Sequence, residues 1–296
     1  MKYWLIIIFV GILTSCDGTF VFYGIPFEGE KLVVNALLGA NQPVKIYVGK
    51  TWQLEGKIPD KTSVDNATVL LYENDVLVAQ LSYFGQGIYQ TSFKSKTSAS
   101  YHCKVQVQGF KEVSTQKTTV PESFPFGGYE LNKDGYIALN GGNREPSNVL
   151  IKLTPDRPKN HYYFVKLSAI YQNKELSGSP MTLDFNMEKQ DDCFFTRRVE
   201  LGSAFFYSNH CFGIKSSLIM AIETIEFGGV GENRKATEIV VNMRNISKEY
   251  FEFMRANREP VDIERAFTEP APTFTNINGG YGLWASYNET TLIIPL

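Results

Sequence analysis

Apolar and polar residues alternate along much of this chain with the period of two that a half-buried strand requires, in short runs broken by Gly, Pro, Asn, Asp and Ser. After Gly29 the runs read EKLVVNALLG, QPVKIYVGKTW, ATVLLYENDVLVAQLSYFGQGIYQTSF and SYHCKVQVQGFKEVSTQKTTV. Val69, Leu71, Val76 and Val78 flank Glu73-Asn74-Asp75, which predicts a hairpin turn, and Gly85 and Gly87 predict a second. Val105-Gln106-Val107-Gln108 gives one buried and one wet face. The pattern predicts a small antiparallel sandwich over residues 29–120, immunoglobulin-like or transthyretin-like in architecture.

Pro121, Pro125, Gly127 and Gly128 then crowd together and predict a domain boundary. Beyond it lies a larger β-rich domain, 121–296, with strand candidates at 149–153, 162–172, 181–187, 217–227 and 236–244. A helix is expected over 247–257, capped by Ser247, with Tyr250, Phe251 and Met254 on one face and Pro260 beyond its end. The expected fold is therefore all-β: two antiparallel β-sandwich domains with one short helix near the C-terminus.

The N-terminal MKYWLIIIFVGILTSCDG has another character. One basic residue, Lys2, precedes an apolar run too short for a bilayer, which takes roughly 20 residues, and Thr14-Ser15 suit a signal peptidase. Leu13-Thr14-Ser15-Cys16 resembles the bacterial lipobox. The expectation is a signal peptide over 1–15, a lipid on Cys16 that anchors the chain to a membrane, and a tether over 16–28. Two or more acyl chains, at ~0.8 kcal/mol per buried methylene, give stable anchoring.

Removing 1–15 leaves 296 − 15 = 281 residues and takes the formal charge from −2 to −3, because Lys2 leaves with the leader. No basic surface argues for nucleic acid. Export places the remaining cysteines, Cys103, Cys193 and Cys211, where disulfides persist. Cys193 and Cys211 lie 211 − 193 = 18 positions apart, and closing a loop of that size stabilises by about 3 kcal/mol. That pair is the expected bridge, and Cys103, alternating with Val105 and Val107, is expected to be a buried apolar side chain.

The lipobox, EKLVVNALL followed by VKIYVGKT, ATVLLYEND with GIYQTSF, the Cys193/Cys211 pair, the YFEF helix and FTEPAPTFTNINGGYGLWASY resemble, in that order, the Bacteroidota outer-membrane lipoproteins grouped as domain of unknown function 4249. The resemblance covers most of the mature chain. It implies an envelope lipoprotein of unsettled biochemistry, often encoded beside outer-membrane barrel receptors of the TonB-dependent class, and it carries over no catalytic residue. Asp17-Gly18-Thr19-Phe20-Val21-Phe22 lacks the acidic cluster that follows the lipidated cysteine in surface-exposed lipoproteins of that phylum, so the membrane face stays open.

Signatures of chemistry are sparse. His102, His161 and His210 form no short metal-ligand spacing, no GxSxG occurs, and neither a metal nor a cofactor is expected. A zinc site from His102-Cys103 and His210-Cys211 would require the two halves to meet. Gly228-Gly229-Val230-Gly231 precedes a strand instead of the helix that a phosphate loop needs, and so reads as a hairpin loop. Asn132-Lys133-Asp134-Gly135 opens like a calcium loop but reaches Asn143 where a glutamate belongs. Asp191-Asp192 reads as a solvated loop, and Glu223 and Glu226 would face opposite sides of a strand. Trp52, Tyr281, Trp284 and Tyr287 could form an aromatic platform for sugars or peptides; the other reading is sheet packing around Gly279, Gly280 and Gly282. The expected role is a noncatalytic binding or accessory module beside a barrel receptor. The alternatives are a surface hydrolase of polysaccharide or peptide, and an adhesive or structural surface protein.

Overall fold

The alternating runs become strands. The computed structural model describes residues 27, 29–53, 59–123, 126–132, 137–139, 143–145, 148–155, 161–171, 174–177, 181–182, 193–199, 202–208, 218–223, 225–227, 233–256 and 274–296. The earlier strands are β1 (Leu32–Gly39), β2 (Pro43–Lys50), β3 (Thr68–Glu73), β4 (Val76–Gly85), β5 (Ile88–Lys94), β6 (Ser100–Gln106), β7 (Val113–Thr115) and β8 (Thr118–Thr119). Next come β9 (Phe126–Asn132), β10 (Ile137–Leu139), β11 (Asn143–Glu145), β12 (Asn148–Pro155), β13 (Tyr162–Tyr171), β14 (Lys174–Ser177), β15 (Met181–Thr182), β16 (Phe194–Val199) and β17 (Gly202–Ser208). The last are β18 (Leu218–Glu223), β19 (Ile225–Phe227), β20 (Asn233–Lys235), β21 (Glu238–Ile246), helix α1 (Lys248–Ala256), β22 (Ile277–Asn278) and β23 (Tyr281–Pro295). Met1–Glu30 with Trp52–Lys61 group as one compact unit, and Lys31–Thr51 with Thr62–Leu296 as another. All of these elements belong to the second unit.

Both predicted hairpin turns form. Asn74 and Asp75 have φ of 49° and 69° between the paired Glu73 and Val76, and Gln86 and Gly87 have φ of 49° and 77° between Gly85 and Ile88. Positive φ at both central residues is the type I′ geometry whose twist matches that of the flanking strands. Strand β4 pairs with β3 through its first half and with β5 through its second, so it carries the chain from one layer to the next. Between the layers, Leu32, Val34, Val48, Val69, Cys103 and Val105 build a dry core.

Trp284 enters that core from the last strand. β23 lies parallel to β1 in seven pairs, from Val33↔Tyr281 to Gly39↔Tyr287, and antiparallel to β21 on its other side. One sheet consequently runs β16-β17-β13-β21-β23-β1-β2-β5-β4-β3-β6-β7-β22. The all-β class with a C-terminal helix holds. The sheet is mixed and not wholly antiparallel, because β23 lies parallel to β1, and strands from before and after residue 121 share it. The Pro-containing stretch there is tied down by side chains of the last strands. Asn288 Nδ2 donates to the Pro121 carbonyl at 3.0 Å, Asn245 Nδ2 to Glu122 at 3.1 Å, and Ser286 Oγ to Thr119 at 2.8 Å. A second sheet, β15-β18-β12-β9, is antiparallel throughout.

Helix α1 starts where Ser247 caps it: its Oγ accepts from the Tyr250 amide at 3.4 Å, an arrangement worth about 1 kcal/mol. Glu249 in the first turn and Arg255 in the last complement the helix dipole. The buried face, Tyr250 and Phe251, packs on Phe164, Phe195, Phe206, Leu283 and Ala285, covering β13, β16, β17 and β23 on the side away from Trp284.

Candidate functional site

Helix α1 covers only part of the sheet face on which it lies. The outward residues of β1, β2 and β5 continue that face, and their register is fixed. Leu283, Asn35, Tyr47 and Ile88 stand side by side across β23, β1, β2 and β5. One pleat further along, Ala285 pairs with Leu37 and Lys45 with Gln90. Phe253, projecting from α1, lines the same hollow, which has a volume of about 510 Å³. That volume lies in the range of small-molecule sites, and the lining has their mostly apolar character. Leu37 remains 42% exposed on its floor. Lys45 is the one charged side chain of the lining and has no ion pair among the described residues.

Beyond the groove, Arg244 sits between the rings of Phe164 and Tyr287, 4.8 and 4.7 Å from their centroids, and bonds Glu289. Burial opposes its charge most, but the bond and charge of Glu289 outweigh that and hold its pKa above the ordinary value. This cation secures the sheet beside the helix and is already satisfied.

The sequence from residue 20 to residue 293 matches the profile of the family described as a domain of unknown function, DUF4249. The chain belongs to that family. No curated protein matches it. Among solved structures, a membrane anchored protein from Corynebacterium diphtheriae is similar at 12% identity and a TM-score of 0.22, over 73% of this chain and 54% of that one. The DUF4249 chain thus spans about half the length of that protein. The major pilin subunit of Bacillus cereus is similar at 11% identity and a TM-score of 0.18, over 90% of this chain and 70% of that one.

Of the four aromatic residues of the platform reading, the three on β23 are not brought together in this DUF4249 member. Trp284 is fully buried, with its indole N–H donating to the Tyr101 carbonyl at 3.0 Å. Tyr281 and Tyr287 share the opposite face of β23 but pair with opposite ends of β1, roughly 20 Å apart for six strand residues. Each faces a cation, Lys31 for Tyr281 and Arg244 for Tyr287. Trp52, 43% exposed, belongs to the other compact unit. The reason is period: positions 281 and 287 have one parity in the strand and 284 has the other.

Cys16, Cys211, His210, Asp191, Asp192 and Gly228–Gly231 lie outside the described residues. The strands on either side of the glycine run, β19 and β20, pair antiparallel from Ile225↔Lys235 to Phe227↔Asn233, as the hairpin reading expects. Cys193 is buried just before β16, and its carbonyl accepts from the Ser208 amide at 2.8 Å. His102 stacks on Tyr72 at 4.7 Å on the outside of β6 while its neighbour Cys103 points into the core, so the two cannot share a metal ion. Burial lowers the His102 pKa, opposed by Asp75 3.8 Å away.

Burial pushes the Cys103 thiol up to about 12, against a bond with Thr115. Because the thiolate is the reactive form, Cys103 is expected to resist alkylation by iodoacetamide in the native chain and to react once the chain is denatured. Peptide mapping by mass spectrometry checks this, and rapid labelling of the native Cys103 peptide would refute it.

The groove residues Asn35, Leu37, Lys45, Tyr47, Ile88 and Phe253 were not apparent as a site in the sequence. One sign is present. The run Leu32-Val33-Val34-Asn35-Ala36-Leu37-Leu38 is apolar on both parities, as in a strand whose two faces are covered.

Proposed function

We propose that this DUF4249 chain is a noncatalytic binding or accessory module, held at the outer membrane by lipid on Cys16 and working beside a barrel receptor of the TonB-dependent class. The observation that carries the binding role is the groove beside α1. It is mostly apolar, and its described lining holds no carboxylate or histidine, its polar groups being those of Asn35, Lys45 and Tyr47. Such a lining suits recognition better than bond cleavage.

The lipobox Leu13-Thr14-Ser15-Cys16 supports the anchor. A Cys193–Cys211 bridge is part of the same proposal. The β16–β17 hairpin places Ser208 beside Cys193, and Cys211 follows Ser208 by 211 − 208 = 3 positions. In the oxidising envelope such a bridge would close the hairpin end.

Purification of a tagged chain from its native envelope in mild detergent tests the proposal, with Cys16→Ser in parallel. The expected result is a co-purifying barrel and loss of the variant from the membrane fraction. A variant still held by the membrane, or repeated purification with no envelope partner, would refute it.

A further inference from the structure

The charge pattern around the groove specifies what it takes. Neither the segment 31–50, which carries β1 and β2, nor the segment 76–99, which carries β4 and β5, contains a single Asp or Glu. Their lysines are Lys31, Lys45, Lys50, Lys94 and Lys96, and of these Lys45 lines the groove. The carboxylates of the helix that walls the groove are engaged elsewhere. Glu249 accepts from Thr118 at 3.1 Å, and Glu252 pairs with Arg255 at 2.5 Å. Among the described residues no carboxylate pairs with Lys45, whose exposed ammonium group at the groove is thus open to a guest that brings its own negative charge.

Shape narrows the choice further. The floor lies beside a helix some 10–12 Å thick, so a flat bilayer would meet α1 before it reached Leu283. A slender guest reaches the floor.

We propose that the groove binds an unbranched apolar chain ending in a carboxylate, the chain lying along Leu37, Tyr47, Ile88, Leu283 and Phe253 and the carboxylate at Lys45 Nζ. The assignment rests on the groove's being the binding site of the proposed module and names the chemistry of its ligand.

Laurate, dodecanol and dodecylamine share one chain and differ in the head group, so calorimetric titration of the full chain with each, below the micelle threshold, separates the two contributions. Laurate is expected to bind about tenfold tighter than dodecanol, and dodecylamine weakest. Lys45→Met should bring laurate to the dodecanol level and Lys45→Arg should retain it. Leu37→Asp, at an exposed position that tolerates polarity, should weaken both. Equal binding of laurate and dodecanol would overturn the anionic assignment while leaving the groove as a binding site. Binding of no chain, or binding that ignores Leu37→Asp, would overturn the inference altogether, and co-purification of a barrel would still stand as separate support for the accessory role.

Discussion

Gly282→Ala is expected to cost more than about 3 kcal/mol, the largest loss of a methyl addition at any of the described glycines. Gly282 has φ of 123°, a region in which a side chain is strained, and a Cβ there would lie 2.1 Å from the Val34 carbonyl oxygen and 2.8 Å from Asn35 Oδ1. Neither neighbour can yield. Val34 is part of the ladder with β23, and Asn35 Oδ1 accepts from the Leu283 amide at 2.9 Å. The carbonyl of Gly282 is fixed as well, by Thr275 Oγ1 at 3.0 Å. Gly109→Ala supplies the comparison: its φ is 86°, but nothing lies within 4 Å of the new methyl, so it carries only the conformational part, about 1 kcal/mol. Urea denaturation of both variants checks the difference. Equal losses would mean that the close approach of β1 to β23 contributes nothing.

Trp284→Ala is expected to cost about 3–5 kcal/mol. The indole is wholly buried among residues of the earlier strands, and truncation leaves a void and removes the indole's hydrogen bond to the Tyr101 carbonyl. The backbone around it is held separately, since Asn276 receives the Trp284 amide at 2.8 Å and donates to its carbonyl at 2.6 Å. The loop therefore persists while the core empties. Trp284→Phe distinguishes the contributions, restoring much of the packing but not the hydrogen bond, and should recover part of the loss. A Trp284→Ala midpoint indistinguishable from the parent would remove this side chain from the core.

The local parts of this fold were legible because their causes are local. A two-residue Asn-Asp loop between alternating strands specifies a type I′ hairpin, and Ser247 ahead of Tyr250 and Phe251 specifies a capped amphipathic helix. The partner of β1 was not legible. Asn35 and Leu283 meet across 248 positions, and nothing near either residue encodes that distance. The tying down of the Pro121 stretch was equally hidden, because proline and glycine mark irregular backbone without telling what binds it. Here Asn245, Ser286 and Asn288, all far along the chain, bind its carbonyls. The groove was hidden for a related reason. Lys45, Tyr47 and Phe253 read as ordinary surface of a strand and a helix, and become one lining only when β23 brings the helix beside β1.

Insertion of the last strand next to the first also sets the order in which the molecule can be completed. A chain that emerges N-terminus first presents β1 with its β2 neighbour at once, yet the strand for its other edge follows all the other described strands. Until then β1 remains an open edge, able to recruit any strand that comes near. Pairings of such long separation close slowly, because the loop entropy is lost before contacts repay it. Folding cannot be finished piecewise during synthesis, and a chain that stops before Tyr281 would leave a permanent unpaired edge at the centre of its sheet.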